Sequence, residues 1–176
     1  MVNVDALGER AAVGMAQERW QFPCLTPIVV QDALRGLAGL SRIACMDAKP
    51  VNLTEALASF DDVYSPRIVA RMNDYDVRIA HAKGEHVWHV HNDTDEFFLV
   101  LDGQFHIGMR DADGNETAVV LRKGDTFVVP RGTEHKPSSP GGAILMFEPS
   151  GTSTTGNQHE GEIPDHVDST TGHELT

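Results

Sequence analysis

The sequence predicts an all-β fold, a single barrel or sandwich of short strands, and three observations point there. Strand-like runs follow one another from Arg67 to Glu148, turn residues separate most of them, and no helical pattern intervenes. The runs are Arg67–Met72, Tyr75–Ala82, Glu85–His91, Glu96–Leu101, Gln104–Arg110, Glu116–Leu121, Thr126–Val129 and Ala143–Glu148. Asp102-Gly103 and Asp113-Gly114-Asn115 read as hairpins, and Lys123-Gly124-Asp125 and Pro140-Gly141-Gly142 as further breaks.

The flanks have a different texture. Residues 1–50 read as an N-terminal extension of helix and loop. There Val30, Ala33, Leu34, Leu37, Leu40 and Ala44 recur at helical spacing, although Gly36 and Gly39 weaken the helix. The proline-broken apolar segment from Trp20 to Pro27 is expected to pack as a lid or dimer contact. Residues 51–149 form the predicted barrel, preceded by a short helix that Asn52-Leu-Thr-Glu can cap. Residues 150–176 are polar and acidic, with no Lys or Arg after Lys136 and with scattered His159, His166 and His173. They read as a flexible tail.

Composition narrows the function. A chain of 176 residues holds one domain with a real core, and 40% hydrophobic residues argue against wholesale disorder. The net charge of −12, from 14 basic and 26 acidic residues, repels phosphate backbones and anionic lipid, so neither nucleic acid nor membrane is an expected partner. Cys24 and Cys45 form no CxxC pair and read as free thiols. Neither a leader-like N-terminus nor a bilayer-spanning apolar run is evident, which makes the cytoplasm the default compartment.

The chemistry concentrates in two stretches. In Val87-Trp-His-Val-His-Asn-Asp-Thr-Asp-Glu-Phe-Phe-Leu-Val-Leu, His89 and His91 leave the same face of one strand. Glu96 opens the next strand and shares a face with Phe98 and Val100, while Phe97, Leu99 and Leu101 share the other, so this strand is predicted to be buried on both sides. Two histidines and a carboxylate in an apolar interior call for a compensating charge, which a divalent cation supplies. In Gly124-Asp-Thr-Phe-Val-Val-Pro-Arg-Gly-Thr-Glu-His135, a strand and a Pro130-Arg131-Gly132 turn deliver His135 from a distant part of the chain.

These stretches resemble the two motifs of the cupin superfamily. The His89-x-His91, Glu96 and Gly103 spacing matches, as does Gly124 through Pro130 and Gly132 to His135. Gly84 lies one residue too close to His89, and Ser139 stands where the second motif often has Asn; neither is a ligand position. Val87-Trp-His-Val-His, Asp95-Glu-Phe-Phe-Leu-Val-Leu and Phe147-Glu-Pro are similar, more narrowly, to small single-domain cupins labelled mannose-6-phosphate isomerase-like. The resemblance implies a double-stranded β-helix (jelly-roll barrel) in which His89, His91, Glu96 and His135 bind one divalent transition metal ion, Fe, Mn, Ni or Zn. It also implies positions left open for water, oxygen or a small-molecule substrate.

A metal-dependent enzyme, a dioxygenase or an isomerase or lyase, is the expected function. A non-enzymatic binding or sensing barrel is the alternative. Glu85, which shares strand parity with His89, is nominated as the base beside Glu96. Arg131 and Lys136 are weaker candidates for orienting an anion, Asp95 reads as a turn residue, and His81, His86 and His106 have no assigned role. The abundance of apolar surface predicts a homodimer.

Overall fold

The computed structural model describes residues 49–176. The extension helix, the Trp20–Pro27 segment and both cysteines lie outside the described residues. The elements in order are α1 (Leu53–Leu57), β1 (Arg67–Met72), β2 (Tyr75–Glu85), β3 (Trp88–Val90), β4 (Glu96–Arg110), β5 (Glu116–Arg122), β6 (Thr126–Val129), β7 (Glu134–Pro149), β8 (Gln158–Glu160) and β9 (His173–Glu174).

Local chemistry sets several boundaries. Asn52 Oδ1 accepts from the amides of Thr54 and Glu55 at 2.9 and 3.2 Å and so starts α1. Asp111 accepts from the amides of Asp113 and Asn115, closing the β4–β5 hairpin around Gly114, whose φ is +81°. Asp125 takes the Arg122 amide at 2.8 Å in the β5–β6 turn.

Two expected breaks are absent. Asp102-Gly103 makes no hairpin and Pro140-Gly141-Gly142 ends no strand; β4 and β7 run through these points and bend there together, paired Gly103 to Gly142. A Cβ on Gly103 would lie 2.2 Å from the Gly141 oxygen, and one on Gly142 would lie 2.5 Å from the Asp102 oxygen. The glycines serve close backbone approach at a corner, a use that a turn signal does not distinguish.

The bend makes two half-sheets from two long strands. The first half of β4 pairs with β6 and with the second half of β7, which continues into β2, β1 and β9. The second half of β4 pairs with β5 and with the first half of β7, which adjoins β3 and then β8. Between them lies the main core of Phe98, Val100, Phe105, Ile107, Leu121, Val129, Ile144 and Met146. A second cluster around Ile79 and Val69 lies beneath α1. The strand at Glu96 was expected to be buried on both faces; Glu96, Phe98 and Val100 are buried, whereas Phe97, Leu99 and Leu101 are only partly so. α1 is too short to cover the whole outer face.

Residues 150–176 correct the reading of a flexible tail. β8 pairs with β3, β9 pairs with β1, and Val167 enters the main core at 7% exposure. The segment holds few apolar residues, but backbone pairing anchors it, and composition alone does not show that. Among the described residues no helix is long and apolar enough to cross a membrane.

Candidate metal centre

β3 carries His89, β4 opens with Glu96, and β7 carries His135 directly opposite His89 in the ladder. His91 follows β3 immediately. Antiparallel pairing therefore brings together residues far apart in sequence, and all four side chains converge. One ligand atom from each of His89, His91, Glu96 and His135 lies within 4.8 Å of the others. The four residues are buried, at 2%, 4%, 6% and 0% exposure.

The hydrogen bonding decides what these atoms can do. His89 Nδ1 donates to the Val87 carbonyl and His135 Nδ1 to the Thr133 carbonyl, each at 3.0 Å. That fixes the proton on Nδ1 and leaves each Nε2 lone pair facing inward. His89 Nε2, His91 Nε2, His135 Nε2 and Glu96 Oε2 are all buried without a hydrogen-bond partner. His135 Nε2 lies 2.8 Å and His91 Nε2 3.5 Å from Glu96 Oε2, contacts that are not aligned as hydrogen bonds. Four convergent donor atoms orphaned in one cavity fit a divalent ion with three imidazole ligands and one carboxylate.

The electrostatics agree with that donor set. Burial lowers the pKa of His89 and His91, so both rings are neutral and able to ligate. Burial works against the Glu96 carboxylate too, but the adjacent His135 ring outweighs it and holds the acid below the ordinary carboxylate range. Burial also opposes charge on His135, yet the adjacent Glu96 raises it. An ion would take the place of that proton.

The remaining candidates fall elsewhere. Glu85 does not reach the cavity; its carboxylate is 73% exposed and pairs with Lys136 Nζ at 3.1 Å on the outside. Its parity with His89 fails because β2 ends at Glu85 and the chain breaks strand geometry before β3. Lys136 is thereby occupied, and Arg131 pairs with Asp95 at 3.0 Å on the surface, so neither orients a ligand inside. His81 Nε2 bridges the Leu57 and Phe60 carbonyls at 3.0 Å, a structural use. His106 is partly exposed, between the inward-facing Phe105 and Ile107.

A cavity of about 30 Å³ adjoins the cluster at His89 and Glu96 and is lined as well by Tyr64, Arg78, His86, Phe98, Met146, Glu148 and Thr154 among others. Such a volume holds an ion with one or two water-sized companions. Among them Tyr64, Arg78, His86, Glu148 and Thr154 were not anticipated as site residues. Arg78 is 1% exposed and Glu148 is 2% exposed; Arg78 Nη1 donates to Glu148 at 2.8 Å and to the Thr152 carbonyl at 2.9 Å. Asp76, also buried, stands 3.5 Å from Arg78 Nη2 and accepts from Ser150 Oγ at 2.7 Å. Burial, then the nearby Glu96 charge, pushes the Glu148 carboxyl well above its usual range. Tyr64 donates to the Gly84 carbonyl at 3.0 Å, and burial holds His86 down at about 4. Period-two alternation offered a signal for part of this set: Arg78 shares parity with Ala80, and Glu148 with Met146 and Ile144.

Fold and site together define a class, a double-stranded β-barrel with an interior metal-binding cluster. The cupin-domain family model matches residues 76–148. A cupin-2 domain protein of Shewanella frigidimarina, known as a crystal structure, is 38% identical; the match covers 56% of this chain and 93% of that one, with a TM-score of 0.53. The chain belongs to the cupin superfamily. The uncharacterized protein YdbB of Bacillus subtilis strain 168 is 42% identical over 71 residues, 40% of this chain and 59% of that protein, so the chain spans less than two thirds of that relative's length. A hydroquinone 1,2-dioxygenase from Sphingomonas sp. TTNP3 is 18% identical over 70% of this chain and 76% of its own, with a TM-score of 0.50, and is similar in fold alone.

Proposed function

We propose that this chain is a metal-dependent enzyme acting on a small organic molecule, by dioxygenase or by isomerase or lyase chemistry. The carrying observation is the set of four buried donor atoms, from His89, His91, Glu96 and His135, that no protein group satisfies. A bound divalent ion would supply Lewis acidity to an oxygen-bearing ligand. The chain's own contribution is a dry, shaped surround. Phe98, Phe105, Ile144 and Met146 exclude water on one side, and Arg78 holds Glu148 in the cavity wall. With Glu85 outside, Glu148 is the carboxyl placed to hold a proton near the site. A cytoplasmic, small-molecule role accords with the net charge of −12. The mannose-6-phosphate isomerase-like label speaks for kinship and carries no sugar substrate with it.

The test begins with metal analysis of protein purified without an affinity tag or chelator. About one transition metal ion per chain is expected, with most of it lost in His89→Ala and His135→Ala. Full retention in both variants would overturn the centre. Oxygen uptake by the Fe(II) form, screened against small phenols and hydroxy-carbonyl compounds, supports the dioxygenase branch; turnover without uptake supports the isomerase or lyase branch. Ligand binding with no turnover across the screen would favour the sensing barrel instead.

A further inference from the structure

The ligand side chains are buried, with His135 at 0% and His89 at 2% exposure, and a cavity of about 30 Å³ lies beside His89 and Glu96. That space is smaller than an organic ligand, which enters it only if part of the wall moves. We propose that residues 150–176 are a gating strap, whose local opening admits metal and substrate to the barrel. The proposal rests on the metal-centre reading above.

The strap forms part of the wall. Thr154 lines the cavity, and Val167 packs into the main core that includes Tyr64, itself a lining residue. The Asp168 amide donates to the Tyr64 carbonyl at 3.1 Å, and His166 Nε2 donates to the Glu85 carbonyl at 3.0 Å. At Gly156, backbone lies directly on the ligand strand: a Cβ there would stand 2.4 Å from the Val90 oxygen and 3.1 Å from the His89 ring. The strap thus touches β3 and the Tyr64 end of the cavity at once.

Its attachment is weak beside that of the barrel. β8 and β9 are three and two residues long, whereas β4 and β7 are fifteen and sixteen. Elements with few ladder bonds and little buried apolar surface open locally, well below the cost of global unfolding. Gly151, at φ +86°, turns the chain out of β7 into the strap.

The experiment joins metal release with hydrogen exchange on the full chain loaded with Zn(II) or Fe(II). Release into excess chelator should reach a plateau as chelator concentration rises, with the plateau set by strap opening. The amides of Asn157, Asp168 and His173, bonded to Val90, Tyr64 and Pro66, should exchange far ahead of those in β4. Val167→Ala should speed both the plateau and these amides by about tenfold or more, because it removes the contact by which the strap packs on the barrel core. Leu121→Ala, which loosens the barrel core at β5, should lower the melting temperature and leave the plateau within about twofold. Strap amides that exchange together with β4, or a plateau unmoved by Val167→Ala, would overturn the gate. Wild-type protein that never binds metal would instead overturn the metal-centre reading, and the exchange measurement would still decide whether the strap opens by itself.

Discussion

Replacing Glu96 by Gln keeps the shape of the one anionic ligand and removes its charge. Glu96 Oε2 lies 2.8 Å from His135 Nε2 and 3.5 Å from His91 Nε2, so the carboxylate faces the point where the imidazoles meet. With a carboxylate oxygen at about 2.1 Å from a bound divalent ion and an effective dielectric of about 20, the carboxylate charge is worth roughly 16 kcal/mol to that ion. Much of this is offset, because the ion gives up its hydration on entering the site and the Gln amide oxygen remains as a neutral donor. A net loss of about 3 kcal/mol, or somewhat over a hundredfold in affinity, is the expected result for Fe(II) or Mn(II). Zn(II), which three imidazoles hold well, should lose less. Metal competition on wild type and E96Q reads the difference, and a melting curve of each apo form controls for folding. The apo forms should melt within about 5 °C of each other, since the variant loses an ion pair and also relieves a buried charge. If E96Q keeps the wild-type affinity and metal preference, Glu96 is not a ligand and the register of β4 against β7 has to be redrawn.

Other expectations follow from the same structure. His86, held at about 4 by burial against an ordinary 6.5, stays neutral in the folded chain while the unfolded chain takes up a proton. Its contribution therefore lowers apo stability as pH falls from 6.5 to 4, by roughly 3 kcal/mol in all, and is flat above that window. Urea unfolding across pH should show a shallower slope in His86→Gln; an unchanged slope would refute the assignment. Gly103→Ala should destabilise by more than about 3 kcal/mol because of the 2.2 Å backbone approach, whereas Gly114→Ala, strained in φ but uncrowded, should cost about 1 kcal/mol. Equal losses in the two would show that crowding at the corner is not what selects glycine. We further propose a homodimer, with the exposed Val120 and Val128 at 50% and 47% as candidates for its contact. Sedimentation at micromolar concentration should give twice the 19.2 kDa chain mass, and Val128→Lys should shift it toward monomer; a wild-type monomer would refute the pairing.

What the sequence determined by itself was whatever depends on short-range spacing. The strand runs, the Asn52 cap and the Asp113-Gly114-Asn115 hairpin follow from local preferences that neighbours reinforce. His89 and His91 share a face because side chains alternate along an extended chain, and the resemblance in motif spacing carried Glu96 and His135 into the same set. Tertiary structure decided what depends on which backbone lies beside which. Whether Gly103 and Gly142 turn the chain or let two strands cross depends on their partners, since one small residue answers both needs. Glu85 shares parity with His89 on paper, yet the end of β2 comes between them and sends its carboxylate to Lys136 outside. The buried Asp76–Arg78–Glu148 network looks like ordinary surface charge until β2 and β7 pair and close the barrel over it. Residues 150–176 bury little apolar surface, so composition describes them as free, while hydrogen bonds to the edges of β3 and β1 hold them in place. Those bonds join chain segments far apart in sequence, and only the closed fold brings the segments together.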